Sequence, residues 1–162
     1  MLELPYPIIE QADGTFRFTT DYSIEFSVAF LDASYHFENL TIPNGNIVEF
    51  SFEPLSKPEQ LPKDGRVSAT ILKILNSFFG NSQNVLLYVC ESTDNKQLAR
   101  KRTFDRWFDS QKVNSLEKYD FRFVVADVEI VGAIILDIRN TEKELLAALF
   151  VETYREYLSY KA

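Results

Sequence analysis

Asn84-Val85-Leu86-Leu87-Tyr88-Val89-Cys90 is an apolar run with no polar alternation, and its reading decides the fold. A strand wetted on one side alternates apolar with polar residues, whereas a short unbroken apolar run is a strand buried on both faces. Upstream of it, Val67, Ile71, Ile74, Leu75 and Phe78 recur at helical spacing, with Asp64 as a candidate N-cap and Gly80 as a stop. The spacing predicts a first helix over 65–79. A helix of that length between two strands permits a parallel crossover into the buried strand.

Further upstream the pattern changes to period two. Phe16 and Phe18 share one side of a short run, and Tyr22, Ile24, Phe26, Val28 and Phe30 alternate with Ser23, Glu25, Ser27 and Ala29. Thr20-Asp21 joins these runs as a hairpin, and Phe16, Phe18, Tyr22 and Phe26 are expected in the core. Asn44-Gly45-Asn46 turns the chain into a third run, Val48 to Phe52. Pro54, Pro58 and Pro62 make a stiff connection before the helix.

Downstream of Cys90, Ser92, Thr93 and Asp94 offer caps for a second helix reaching about Asp109. Two strands follow, near 119–127 and 129–138, joined tightly enough to be a hairpin. Thr141 and Glu144 form a capping box for a last helix. In it, Leu145, Leu149, Glu152 and Glu156 fall on one line and Leu146, Phe150, Tyr154 and Tyr157 on another. The expected fold is α+β, with about six mostly antiparallel strands and three helices in the order β-β-β-α-β-α-β-β-α, helices packing on at least one face. Strand order does not follow from these patterns.

A chain of 162 residues, 46% apolar and 14% aromatic, suits one domain with one packed core. Residues 1–162 are read as that domain, with 1–14 expected to form a loosely ordered arm. One cysteine, Cys90, excludes an internal disulfide, and a single histidine leaves no Cys/His set for zinc, so neither metal nor cofactor is expected. The start of the chain lacks a secretion-signal pattern and no apolar run has the length of a membrane span, so a cytoplasmic location and no membrane partner are expected.

Charge is the strongest asymmetry. Lys96-Gln97-Leu98-Ala99-Arg100-Lys101-Arg102-Thr103-Phe104-Asp105-Arg106 holds five of the seventeen Lys and Arg residues against one acid. That window is +4 while the whole chain is −7, which leaves the rest at −11. On a helix, Arg100 lies with Phe104, Trp107 and Phe108 at the edge of an apolar stripe, while Arg102, Arg106 and Asp109 share another side. Guanidinium groups match carboxylate or phosphate, and Trp107 could stack on a base. The candidate binding residues are therefore Lys101, Arg102, Arg106, Trp107 and Arg100. The alternative is a solvated helix whose cations pair with the many acids of the chain, each such pair worth about 0.3–0.5 kcal/mol.

Other constellations carry less. The loop Glu91-Ser92-Thr93-Asp94 follows a buried strand and precedes a helix, a common place for ligands, but it has no glycine-rich turn and Asp94 would repel an anion. Cys90 with His36 as its base would need a meeting that nothing in the sequence requires. Asp127 and Glu129 flank a hairpin turn, where polar residues belong in any case. No catalytic residue is assigned.

Phe16-Arg17-Phe18-Thr19-Thr20-Asp21-Tyr22 with Phe26-Ser27-Val28, then Asp64-Gly65-Arg66-Val67-Ser68-Ala69-Thr70-Ile71, then Ala99 to Phe108, together resemble a family of small uncharacterised proteins. It is a domain of unknown function found mainly in Bacteroidota-type bacteria. The resemblance runs from about Thr15 to the final helix. It implies a single bacterial domain and brings no activity with it.

Three functions are therefore expected, in this order. The first is a non-enzymatic binding domain whose basic helix, 96–108, contacts an acidic protein or a nucleic acid. The second is an enzyme acting on an anionic substrate at the 90–94 loop. The third is a structural homodimer subunit that buries Trp107 or Tyr157.

Overall fold

A computed structural model describes residues 3–34, 45–56, 60–91, 96–110, 115–140 and 143–161; of 91, 110, 125, 154 and 157–161 it describes the backbone alone. The strands are β1 (Ile9–Glu10), β2 (Phe16–Thr19), β3 (Glu25–Asp32), β4 (Ile47–Pro54), β5 (Val85–Glu91), β6 (Leu116–Val125) and β7 (Val128–Asp137). The helices are α1 (Gly65–Phe78), α2 (Gln97–Ser110) and α3 (Lys143–Lys161). All seven strands form one sheet in the order β1-β2-β3-β4-β5-β7-β6.

The fold is α+β, and α1 is a crossover: β4 and β5 pair in parallel, Ile47 opposite Val85, while every other pairing is antiparallel. The seventh strand, β1, is a two-residue edge segment too short to show a pattern.

The sheet divides the core. On one face α1 and α2 cover Phe18, Phe26, Val28, Phe50, Leu86, Tyr88 and Cys90 with Ile71, Leu75, Phe104 and Phe108. On the other, α3 covers Leu87, Phe121, Phe123, Ile134 and Leu136 with Ala147 and Phe150. Successive residues of β5 thus point into different apolar layers, which is why the run from Val85 to Cys90 cannot alternate. Burying each such aliphatic or aromatic side chain contributes on the order of 1.5–3 kcal/mol.

Asp64 caps α1 as expected, Oδ1 accepting from the Arg66 amide at 3.0 Å. Its other oxygen accepts from the Tyr6 hydroxyl at 2.5 Å. Arg66 then folds over the Tyr6 ring, 3.9 Å from its centroid, and donates to the Leu4 carbonyl at 2.8 Å. The N-terminal arm, expected to be loosely ordered, is anchored here, with Tyr6 buried in the core.

Tyr22, expected in the core, is exposed. The turn is longer than the pattern implied: Thr20 N–H donates to the Ile24 carbonyl, and Thr20 Oγ1 accepts from the amides of Tyr22 and Ile24. Strand pairing resumes only at Glu25, opposite Thr19. Tyr22 therefore sits on a turn, and the alternation holds from Ile24 onward.

Candidate functional site

Helix α2 has two sides with different fates. Phe104 stacks on Tyr88 with ring centroids 4.1 Å apart, and Phe108 is buried beside it. Lys96, Leu98, Ala99, Arg102, Arg106 and Asp109 face solvent. Burial of the aromatic stripe fixes the rotation of the helix and so decides which cations point outward.

Lys101, expected with Arg102 and Arg106 on the candidate surface, is buried instead. Its ammonium lies 2.7 Å from Asp105 Oδ1 and 2.6 Å from Asp120 Oδ1. Lys118 closes a square, 3.0 Å from the same Asp105 oxygen and 2.7 Å from the same Asp120 oxygen. Lys118 and Asp120 stand on the α2 side of the edge strand β6, so the cluster ties helix to sheet edge and is charge-balanced. Burial alone would raise the Asp120 carboxyl, but hydrogen bonds from Lys101 and Lys118 outweigh it and hold the group below the usual carboxylate range. Burial alone would likewise lower Lys118; Asp120 and Asp105 outweigh it and raise the ammonium. Asp105, three residues from Arg102, is thereby taken by lysines.

Arg100 is half-buried. Burial, more than any other cause, pushes the Tyr88 phenol upward, reinforced by Cys90 and opposed by the charge of Arg100. Trp107 packs half-buried against Phe52, with ring centroids 5.3 Å apart. Arg102 and Arg106 are exposed, one helical turn apart, and among the described residues no carboxylate pairs with either. Of the five predicted binding residues, the structure leaves this pair open to solvent and builds the other three into the fold to different degrees. Lys118 and Asp120 went unnoticed in the sequence because helix spacing points only to partners on the same helix.

The Ser92-Thr93-Asp94 caps, His36, and the Thr141 half of the capping box lie outside the described residues. Cys90 is buried. Asp127 lies in the β6–β7 turn, and Glu129 accepts from Arg122 and from Gln97. Among the described residues no group of three or more His, Cys, Asp or Glu is placed to hold a metal. Nor is any described helix long and apolar enough to cross a membrane.

Sheet, crossover and α2 define an α+β domain whose family is one of unknown function. The model of that family, DUF6169, matches residues 63–152, more than half of the chain, and the chain belongs to it. The match runs from the start of α1 into α3 and contains α2, whereas the Phe16–Val28 segment that shares in the resemblance lies outside it. No curated protein and no solved structure matches the chain.

Proposed function

We propose that this protein is a non-enzymatic, cytoplasmic binding domain of bacterial, Bacteroidota-type origin that contacts an acidic protein surface through Leu98, Arg102 and Arg106 on α2. One observation carries the reading: two guanidinium groups at one-turn spacing face solvent without a carboxylate partner among the described residues, in a chain holding 24 acids. Arginine forks suit carboxylates, and the partly exposed Leu98 adds an apolar contact on the same line. A protein partner is favoured over nucleic acid because Trp107, the residue suited to stacking on a base, is engaged with Phe52.

The test is fluorescence anisotropy with labelled polyglutamate and with a single-stranded oligonucleotide at low ionic strength. Polyglutamate should bind, weaken as salt rises, and lose most of its affinity with Arg102→Ala/Arg106→Ala. Binding of the oligonucleotide alone, with a salt slope reduced in the double variant, would replace this reading with the nucleic-acid one. Binding of neither probe would remove both.

A further inference from the structure

The geometry points to a second copy of this chain as the acidic partner, with α2 of one copy laid along α3 of the next. This rests on the α2 reading above and names its partner.

Helix α3 presents the complement of α2. Leu146, Ala147 and Phe150 pack toward the sheet, which leaves Leu145 and Leu149 outward, 56% and 42% exposed. Glu152 and Glu156 continue that outward face and are both exposed. On α2 the outward line is Leu98, 41% exposed, then Arg102 and Arg106. Each helix therefore shows an apolar residue followed by two like charges at one-turn spacing, and the signs are opposite.

The steps are four and four on α2, three and four on α3. With the helices side by side and running the same way, a single register sets Leu98 on Leu149, Arg102 against Glu152 and Arg106 against Glu156. Running the opposite way, the arginines can still meet the acids, Arg102 against Glu156 and Arg106 against Glu152, but Leu98 is then carried past Glu156 and loses Leu149, so only the parallel register makes all three contacts. Glu152 also meets Arg155 of its own helix at 3.4 Å. That pair is solvent-exposed and holds the carboxylate only loosely.

Two features set the form of the assembly. The sheet lies between α2 and α3, so the two lines cannot meet within one copy. A two-fold contact pairing α2 with α3 would have to engage both helices of each copy at one interface, which their places on opposite faces of the sheet prevent, so the contact is heterologous and a dimer keeps one α2 and one α3 free. Growth therefore continues past the dimer. A contact of one helix pair is small by the standards of stable interfaces, so association is weak and salt-sensitive.

Sedimentation of the full chain tests this. At low salt the wild-type weight-average mass should climb with concentration beyond twice the monomer, and return to monomer at about 1 M salt, where the screening length is about 3 Å. Arg102→Glu/Arg106→Glu and Glu152→Arg/Glu156→Arg should each be monomeric. The quadruple variant, with the charges exchanged, should associate again. All four positions are exposed, and a circular dichroism spectrum of each variant confirms its fold. A wild type that stays monomeric, a plateau at the dimer, or a folded quadruple variant that fails to regain association would overturn the proposal. A monomeric wild type that still binds polyglutamate through Arg102 and Arg106 overturns self-association alone; one that does neither overturns the α2 reading with it.

Discussion

Lys101 of α2 and Asp120 of β6 meet at 2.6 Å across nineteen residues of sequence, joining the helix of the candidate surface to the sheet edge. The lysine side chain is 10% exposed and the aspartate 58%, so the two ends of the pair are not equally costly to lose. Lys101→Met leaves Asp105 and Asp120 sharing Lys118 alone and should destabilise the domain by about 1–2 kcal/mol, below the range for fully buried pairs. Asp120→Asn should cost less than about 1 kcal/mol. Urea denaturation of both variants decides it; a Lys101→Met protein as stable as wild type would show that the cluster does not hold α2 in place.

Acid should weaken the fold through the carboxylates whose titration is depressed. The Arg139 side chain, with its backbone amide, hydrogen-bonds Asp137 and holds it below the usual carboxylate range; Asp120 is held low by Lys101 and Lys118 against the opposing effect of burial. Each titrates lower folded than unfolded, so its stabilisation is complete above the unfolded carboxylate value of about 4 and is lost as pH falls through the folded value. The urea midpoint should therefore drop between pH 6 and pH 3. Asp137→Asn should flatten that drop, and an unchanged pH profile in the variant would contradict the assignment.

Gly132 in β7 should tolerate no side chain. A Cβ there would overlap the Tyr88 carbonyl oxygen and lie 2.6 Å from Phe121 Cζ, the ring that folds over it from the paired position on β6. Backbone cannot yield as a flexible side chain can, so Gly132→Ala should cost about 3 kcal/mol or more. Soluble yield and urea denaturation report it. A variant within about 0.5 kcal/mol of wild type, the usual range for surface changes, would mean that the strands part easily there.

The parts of this molecule written into local pattern were readable, and those set by distant partners were not. The unbroken run Val85 to Cys90 announced a strand covered on both faces, and Asp64 announced the start of α1, because a strand's burial and a helix cap are fixed by near neighbours. Strand order was not readable: no local signal says that β7 enters between β5 and β6. On α2 the split between Lys101 and its neighbours depended on Lys118 and Asp120, seventeen and nineteen positions beyond the lysine. On α3 two lines were visible, one led by Leu145 and Leu149 and the other by Leu146 and Phe150, and only packing on β6 and β7 decides which is buried. The exposed arginine pair belongs to the same class of fact, since it is what remains after the other groups have found partners.

The β6–β7 hairpin turns through Ala126 and Asp127, with φ of 49° and 63°. A two-residue loop with positive φ at both positions is the type I′ geometry, whose twist matches the strands and which Asn-Gly fills best. Alanine has no polar side chain to offset the left-handed conformation, which costs about 1–2 kcal/mol for an L-residue. Ala126→Asn/Asp127→Gly should therefore raise stability by about 1 kcal/mol, part of the relief being returned as glycine's extra freedom in the unfolded chain. Gly14, at φ 86° with open space where a Cβ would sit, is the opposite case: Gly14→Ala introduces strain without a clash and should destabilise. Thermal melts of the two variants should move in opposite directions. If both fall, the Ala126-Asp127 turn is held by contacts of its own side chains, and backbone strain does not limit its stability.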